Sequence, residues 1–217
     1  MKTTHRWSRR ASLSAASLVL VTFVASGCAR AQSAAKPPKP LAAPGLLLAP
    51  LSGQPIPVLP ITYIVADSGV PGLPTTRLAQ LAWADSVLGE ALQAHGPEAT
   101  WIFPAELRRV AKRGAGVVAD PDRMTQAVMR FTNVKKVPDP LLSNLRGLIA
   151  MTGSRVVMIP AMYRITKTPE GVSVEATLVL VDARSGEIPW RSSPVATGAT
   201  AGAALAAAIA RILPDAR

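Results

Sequence analysis

From residue 57 onward the chain switches between two hydrophobic periods. Residues 58–66 (VLPITYIVA) form a β-branched run that predicts a buried strand. Asp67, Ser68 and Gly69, with Pro71, Gly72 and Pro74, make a loop. Thr75 or Thr76 then caps a helix reaching about His95. Its Leu78, Leu81, Ala84, Leu88 and Leu92 recur at spacings of three and four, one helical face, and Gly96-Pro97 stops it. Trp101-Ile102-Phe103 is a short second strand. Pro104 opens a helix to Arg113 that Gly114 closes. Asp120-Pro121 reads as a cap with proline at the first helical position, predicting a helix that turns Met124, Val128 and Phe131 inward. Asp139-Pro140 repeats the device before Leu141, Leu142, Leu145, Leu148 and Ile149, with a stop at Gly153.

The period then returns to two. Residues 155–166 are apolar, and Pro160 implies a bulge or an edge position. Thr168-Pro169-Glu170-Gly171 is turn chemistry. Residues 172–182 (VSVEATLVLVD) alternate, with Val174, Ala176, Leu178 and Leu180 on one face. Residues 183–186 turn the chain into a strand at 187–192, and an Ala-rich helix from about 199 to Leu213 ends at Pro214. The order β-α-β-α-α-α-β-β-β-α predicts an α/β (α+β) domain over 57–217, a single mixed sheet with helices packed on it.

The first 56 residues follow neither period. Lys2, Arg6, Arg9 and Arg10 precede an uncharged, mostly apolar stretch at 11–24, and Ala25-Ser26-Gly27-Cys28 follows. A positive start, a short apolar core and small residues make a secretory signal over 1–27. The apolar core would be about 21 Å long as a helix, short for a bilayer interior of about 30 Å. Its ending resembles the lipobox of bacterial lipoproteins, with Ala25 where Leu is commonest. That resemblance implies acylation of Cys28, cleavage before it and a membrane anchor; Ala29, in place of Asp, implies the outer membrane. Ser8-Arg9-Arg10 with Leu13 also resembles a degenerate twin-arginine signal. Residues 28–56 read as a tether: eight of the 20 prolines fall between Pro37 and Pro60, which favours an extended spacer. Within it, Leu46-Leu47-Leu48 and Pro50-Leu51 form an apolar patch, read either as plain linker or as a segment that docks on the domain or on lipid.

Residues 154–192 contain S-R-V-V-M-I-P-A, a hairpin, then L-V-L-V-D-A-R-S-G-E-I-P-W. This pattern resembles that of periplasmic lipoproteins with the anticodon-binding-like α/β fold: the TolB amino-terminal domain, curli-secretion lipoproteins and penicillin-binding-protein activators. The matching residues are Asp182, Gly186, Glu187 and Trp190, and Pro189 replaces the usual aliphatic residue. The resemblance implies a protein that acts by binding other envelope proteins rather than by catalysis. The same residues also have a plain reading, in which Asp182, Ser185 and Gly186 build a tight turn and Trp190 covers the sheet edge.

Charge and chemistry narrow the function. The formal charge is +11, from 24 Lys and Arg against 13 Asp and Glu. Four cations belong to the signal and three (Arg30, Lys36, Lys39) to the tether, so the domain holds 17 cations against 13 acids. The domain's densest charge is Arg108, Arg109, Lys112 and Arg113. These read as a solvated helix face or as a surface for an anionic partner, peptidoglycan among them, which Arg130, Lys135 and Lys136 would extend. Aromatic residues are nearly absent among these cations, which argues against nucleic acid. With one Cys and two His, neither a disulfide framework nor a Cys/His zinc site is expected, and no phosphate loop or Gly-x-Ser-x-Gly elbow occurs. His95, the one His beyond the signal, reads as a helix end. Asp120 and Asp122 read as caps, and Glu98 and Glu106 beside Trp101 as surface acids with a faint hint of sugar binding. No catalytic residue, metal or cofactor is expected. The leading expectation is a non-enzymatic lipoprotein on the periplasmic face of the outer membrane whose domain binds an envelope protein; the alternatives are a peptidoglycan- or glycan-binding module and, behind it, an envelope hydrolase.

Overall fold

The computed structural model describes residues 44–213. The signal, Cys28 and the tether up to residue 43 lie outside the described residues. The elements are β1 (Pro55–Pro57), β2 (Ile64–Ala66), α1 (Arg77–His95), β3 (Thr100–Ile102), α2 (Pro104–Arg113), α3 (Leu141–Thr152), β4 (Val156–Thr168), β5 (Gly171–Asp182), β6 (Trp190–Ser192), β7 (Val195–Gly198) and α4 (Ala201–Ala210). Short 3-10 turns occupy Ala49–Leu51, Pro121–Arg123 and Ala127–Arg130.

The long antiparallel hairpin β4–β5 is the centre of a mixed sheet. β2 runs parallel to β4 on one side, and β6 and β7 pair with successive stretches of β5 on the other. A parallel pair, β1–β3, joins this sheet through Val58: its amide donates to the Ile102 carbonyl, and it bridges Met158 of β4. The predicted α/β class, one mixed sheet with helices packed on it, is therefore the one observed.

The helices lie on both faces. Ala84, Leu88 and Leu92 of α1 and Ala204, Leu205, Ala208 and Ile209 of α4 pack on Met158, Tyr163, Ile165, Val174, Ala176 and Leu178. Leu107 of α2 and Leu141, Leu145, Leu148 and Ile149 of α3 pack on Val157, Ile159, Val179 and Val181. The strand period of two thus feeds two cores at once. Each fully buried Leu or Ile contributes roughly 1.5–3 kcal/mol. Pro160 sets a register shift in β4 before Met162, as expected of a residue with no amide proton. The shift moves β4's contribution to the α1/α4 core from Val156 and Met158 to Tyr163 and Ile165.

Several expectations are corrected. The strand predicted over 58–66 is interrupted, because Pro60 cannot donate; side chains replace the ladder there, the Asp85 carboxylate accepting from the Ile61 amide at 2.9 Å and the Gln126 amide donating to the Pro60 carbonyl at 3.1 Å. The helix predicted after Asp120-Pro121 is only two 3-10 turns, and Phe131 is exposed although Met124 is buried. Leu78, in the first turn of α1, points to solvent. The packed chain begins before residue 57: Leu46, Leu51 and Ile56 are buried, so part of the expected tether belongs to the domain. The last predicted strand, 187–192, is shortened to β6, and a further strand that was not expected, β7, follows beyond Pro194.

Candidate functional site

The residues Asp182, Gly186, Glu187 and Trp190 meet at one end of the central hairpin. Asp182 closes β5. Its Oδ1 accepts from the amides of Arg184 and Ser185 at 2.9 and 3.2 Å, and its Oδ2 accepts from Arg155 Nε at 2.8 Å. Burial works to raise the Asp182 carboxyl, but the Arg155 guanidinium and the two amides outweigh it and hold the group below the usual carboxylate range. Gly186 has φ +78°, which an L side chain resists, and an added Cβ would sit 3.0 Å from Leu142. Its amide donates to the Asp182 carbonyl, and its own carbonyl accepts from Val137. Glu187 contributes backbone too: its carbonyl accepts from the Asp182 amide. Three of the four residues therefore build a turn.

Trp190 sits opposite Leu180 on edge strand β6, partly buried against the α1/α4 core. Its Nε1 donates to the Pro44 carbonyl at 3.1 Å. This ties the amino-terminal segment to the sheet, and a second tie runs from the Leu46 amide to the Ile212 carbonyl at 2.7 Å. Leu46 and Leu51 bury themselves while Leu47, 72% exposed, points outward. Segment and turn enclose an open groove of about 530 Å³, lined mainly by Leu46, Leu47, Leu51, Val156, Leu180 and Trp190, with Arg155 and Glu187 at its polar margin.

The basic helix is partly neutralised from within. Arg108 donates to both oxygens of Asp122 at 2.7 and 2.8 Å and reaches Asp85 at 3.4 Å. Glu106 pairs with Arg109 at 3.0 Å and Arg113 at 3.3 Å. Arg130 does not extend this face as expected; it stacks over the Tyr63 ring at 4.0 Å. Asp120 caps the Asp122 amide, so these two acids serve turn and ion pair.

Asp85 is a residue that sequence reasoning missed. Burial pushes its carboxyl up to about 6, against the pull of the Ile61 amide and Arg108. The signal was present: Asp85 interrupts the stripe Leu81-Asp85-Leu88-Leu92, and an acid inside an apolar stripe needs a buried partner. Arg108, in turn, holds the Asp122 carboxyl below its usual range. The Tyr163 hydroxyl lies fully buried and has no hydrogen-bond partner among the described residues. Among the described residues, no three His, Cys, Asp or Glu side chains converge as a metal site would require.

No family model matches the chain, and no curated protein does. Among solved structures, it is similar to the LpoB carboxy-terminal domain of Salmonella enterica at 13% identity and TM-score 0.40, over 68% of this chain and 84% of that one. It is similar to the PelC dodecamer of Paraburkholderia phytofirmans at 14% identity and TM-score 0.37, over 80% and 96%. Lipoprotein GNA1162 of Neisseria meningitidis aligns at 18% identity and TM-score 0.32, over 66% and 80%. At such TM-scores the likeness assigns no partner and no activity.

Proposed function

We propose that the chain is a non-enzymatic lipoprotein, held on the periplasmic face of the outer membrane by acyl chains on Cys28, whose α/β domain docks another envelope protein in the groove beside Trp190. The groove's chemistry carries this reading. Its wall is mostly apolar, Leu47 stands exposed at its rim, and of its two carboxylates Asp182 is already engaged by Arg155 and two amides, leaving Glu187 alone at the margin. Such a surface offers contact area and no uncommitted acid–base pair, which suits an apolar loop or strand of a partner protein. The charged leader and the lipobox-like Ala25-Ser26-Gly27-Cys28 support the address. A peptidoglycan-binding role draws less support, since Arg108, Arg109 and Arg113 are paired with acids of the same chain.

The test is in-cell crosslinking with a photoreactive residue at Leu47. A discrete adduct with one envelope protein, lost on Trp190→Ala, is expected; no adduct above that from a photoreactive residue at exposed Leu78 overturns the reading. Cys28→Ala should abolish lipid labelling, and persistent labelling would refute the anchor.

A further inference from the structure

The second face of the sheet is only half covered. Where α2 and α3 end, one level of the sheet presents four neighbouring side chains to solvent, in the order Val65 (β2), Arg164 (β4), Glu175 (β5) and Val195 (β7). Their strand neighbours Ile64, Tyr163, Ile165, Val174, Ala176 and Ala196 point the other way, into the α1/α4 core. Val65 and Val195 are each 42% exposed, large for valines on a sheet face. Arg164 and Glu175 form a loose pair at 3.7 Å, with side chains 56% and 36% exposed, so both keep bonding capacity. The next level down continues the face with Thr166, Ser173 and Thr197.

This row has an unusual symmetry. Read from either edge it is apolar, charged, charged, apolar, with the charges opposite in sign. Turn a copy by 180° about an axis along the strands, between β4 and β5, and lay it face to face with the first. Every position keeps its level along the strands but swaps sides. Arg164 then meets Glu175, Glu175 meets Arg164, and each valine of one copy meets the other valine of its mate. Thr166 likewise meets Ser173. A closed two-fold contact requires this kind of self-complementarity, and an arbitrary partner does not.

We propose that this open sheet face is a homotypic contact through which two copies of the chain pair about that two-fold axis. The charge pattern makes a second copy the fitting occupant: wrong registers set Arg against Arg or a charge against valine. With strands about 4.8 Å apart and same-face residues about 6.8 Å apart, the open face covers roughly 300–400 Å² per copy. That lies below the area of obligate dimers, so the pairing is weak and depends on concentration.

Charge reversal tests it on the full-length chain in detergent, by sedimentation over a wide concentration range. The wild type should associate reversibly. Arg164→Glu and Glu175→Arg should each lose about tenfold or more in self-association. Mixed one to one, the two variants should recover it, because the first then presents two acids to the second's two arginines. A wild type that stays monomeric throughout, reversal variants that associate like the wild type, or a mixture no better than its parts would each overturn the proposal. Circular dichroism melts confirm that each variant is folded. A second measurement needs no charge change: differently tagged copies carrying Val65→Cys and Val195→Cys should form a mixed disulfide when co-expressed. Copies carrying Val65→Cys alone should form none beyond the wild-type background. Equal yields in both cases, or an adduct with a different protein in place of the mixed one, would refute the arrangement.

Discussion

Asp85 on α1 accepts a hydrogen bond from the Ile61 amide, 24 residues earlier, at the point where Pro60 breaks the strand. The carboxylate substitutes for a missing ladder partner, and the substitution has a thermodynamic signature. The folded Asp85 carboxyl titrates near 6 against an ordinary 3.8, so between those values the folded chain binds more protons than the unfolded one. Its contribution to stability is therefore greatest below about pH 4 and falls as pH rises through 6. Asp85→Asn retains an acceptor for Ile61 and cannot ionise. Urea melts should show the variant gaining on the wild type between pH 4 and 7, by up to about 3 kcal/mol, because a tenfold change in proton affinity is worth about 1.4 kcal/mol. Equal pH profiles would contradict the assignment.

Two arginines of the basic helix should respond differently, Arg108 in its middle and Arg113 at its end. Arg108→Ala leaves two carboxylates facing each other, one of them buried, and should cost about 1–3 kcal/mol. Arg113→Ala removes an exposed pair and should cost less than about 0.5 kcal/mol. Chemical denaturation of both at pH 7 checks the contrast.

Gly171 is fixed by its neighbour. An added Cβ would lie 2.5 Å from the Gly198 carbonyl oxygen, at φ +137°. Gly171→Ala should therefore separate β7 from the start of β5 and cost about 2–4 kcal/mol. Gly116→Ala is the control: φ is +90°, but among the described residues no atom beyond its chain neighbours lies within 4 Å of an added Cβ, so only the backbone strain of about 1–2 kcal/mol is felt. Midpoints that shift equally would refute the steric argument.

Trp190→Phe keeps an aromatic ring on β6 but removes the bond to Pro44. The loss should be about 1 kcal/mol, appearing mainly as local opening. Hydrogen exchange at the Leu46 amide and proteolysis within residues 44–54 should both quicken, while the amides of β4 and β5 stay protected. Leu46→Ala should act in the same direction and more strongly, by about 2–4 kcal/mol.

Tyr163→Phe removes a buried hydroxyl that has no partner among the described residues. Melting temperature should hold or rise, because the desolvation cost of the hydroxyl disappears with it. A fall of several degrees would show that the hydroxyl has a partner.

Much of this fold was legible in the sequence because it rests on local signals. Thr76 caps α1 by accepting from the Ala79 amide, Gly114 follows α2, and Gly153 takes a left-handed φ of +67° after α3. Pro160 marks the bulge. The failures share a cause, which is that the deciding partner lies far along the chain. The stretch after Asp120 has helical caps, but Gln126 is drawn away to Pro60, 66 residues earlier. β7 exists because Val172–Glu175 offer it a ladder. Of the candidate site, the turn from Asp182 to Glu187 was readable from residue types alone. The groove was not, since one wall is a Pro-rich segment whose composition favours a spacer. The pairing of Arg108 with Asp122 likewise follows from how α2 meets a distant turn.

The alternation of β4 and β5 has a consequence for how the molecule comes apart. Val157, Ile159, Val179 and Val181 line one core, while Met158, Leu178 and Leu180 on the same two strands line the other. The hairpin is a party wall, and neither room can be emptied while the wall stands. Loss of packing on one side takes away support from the strands that the other side shares, so the two hydrophobic compartments should melt in one transition.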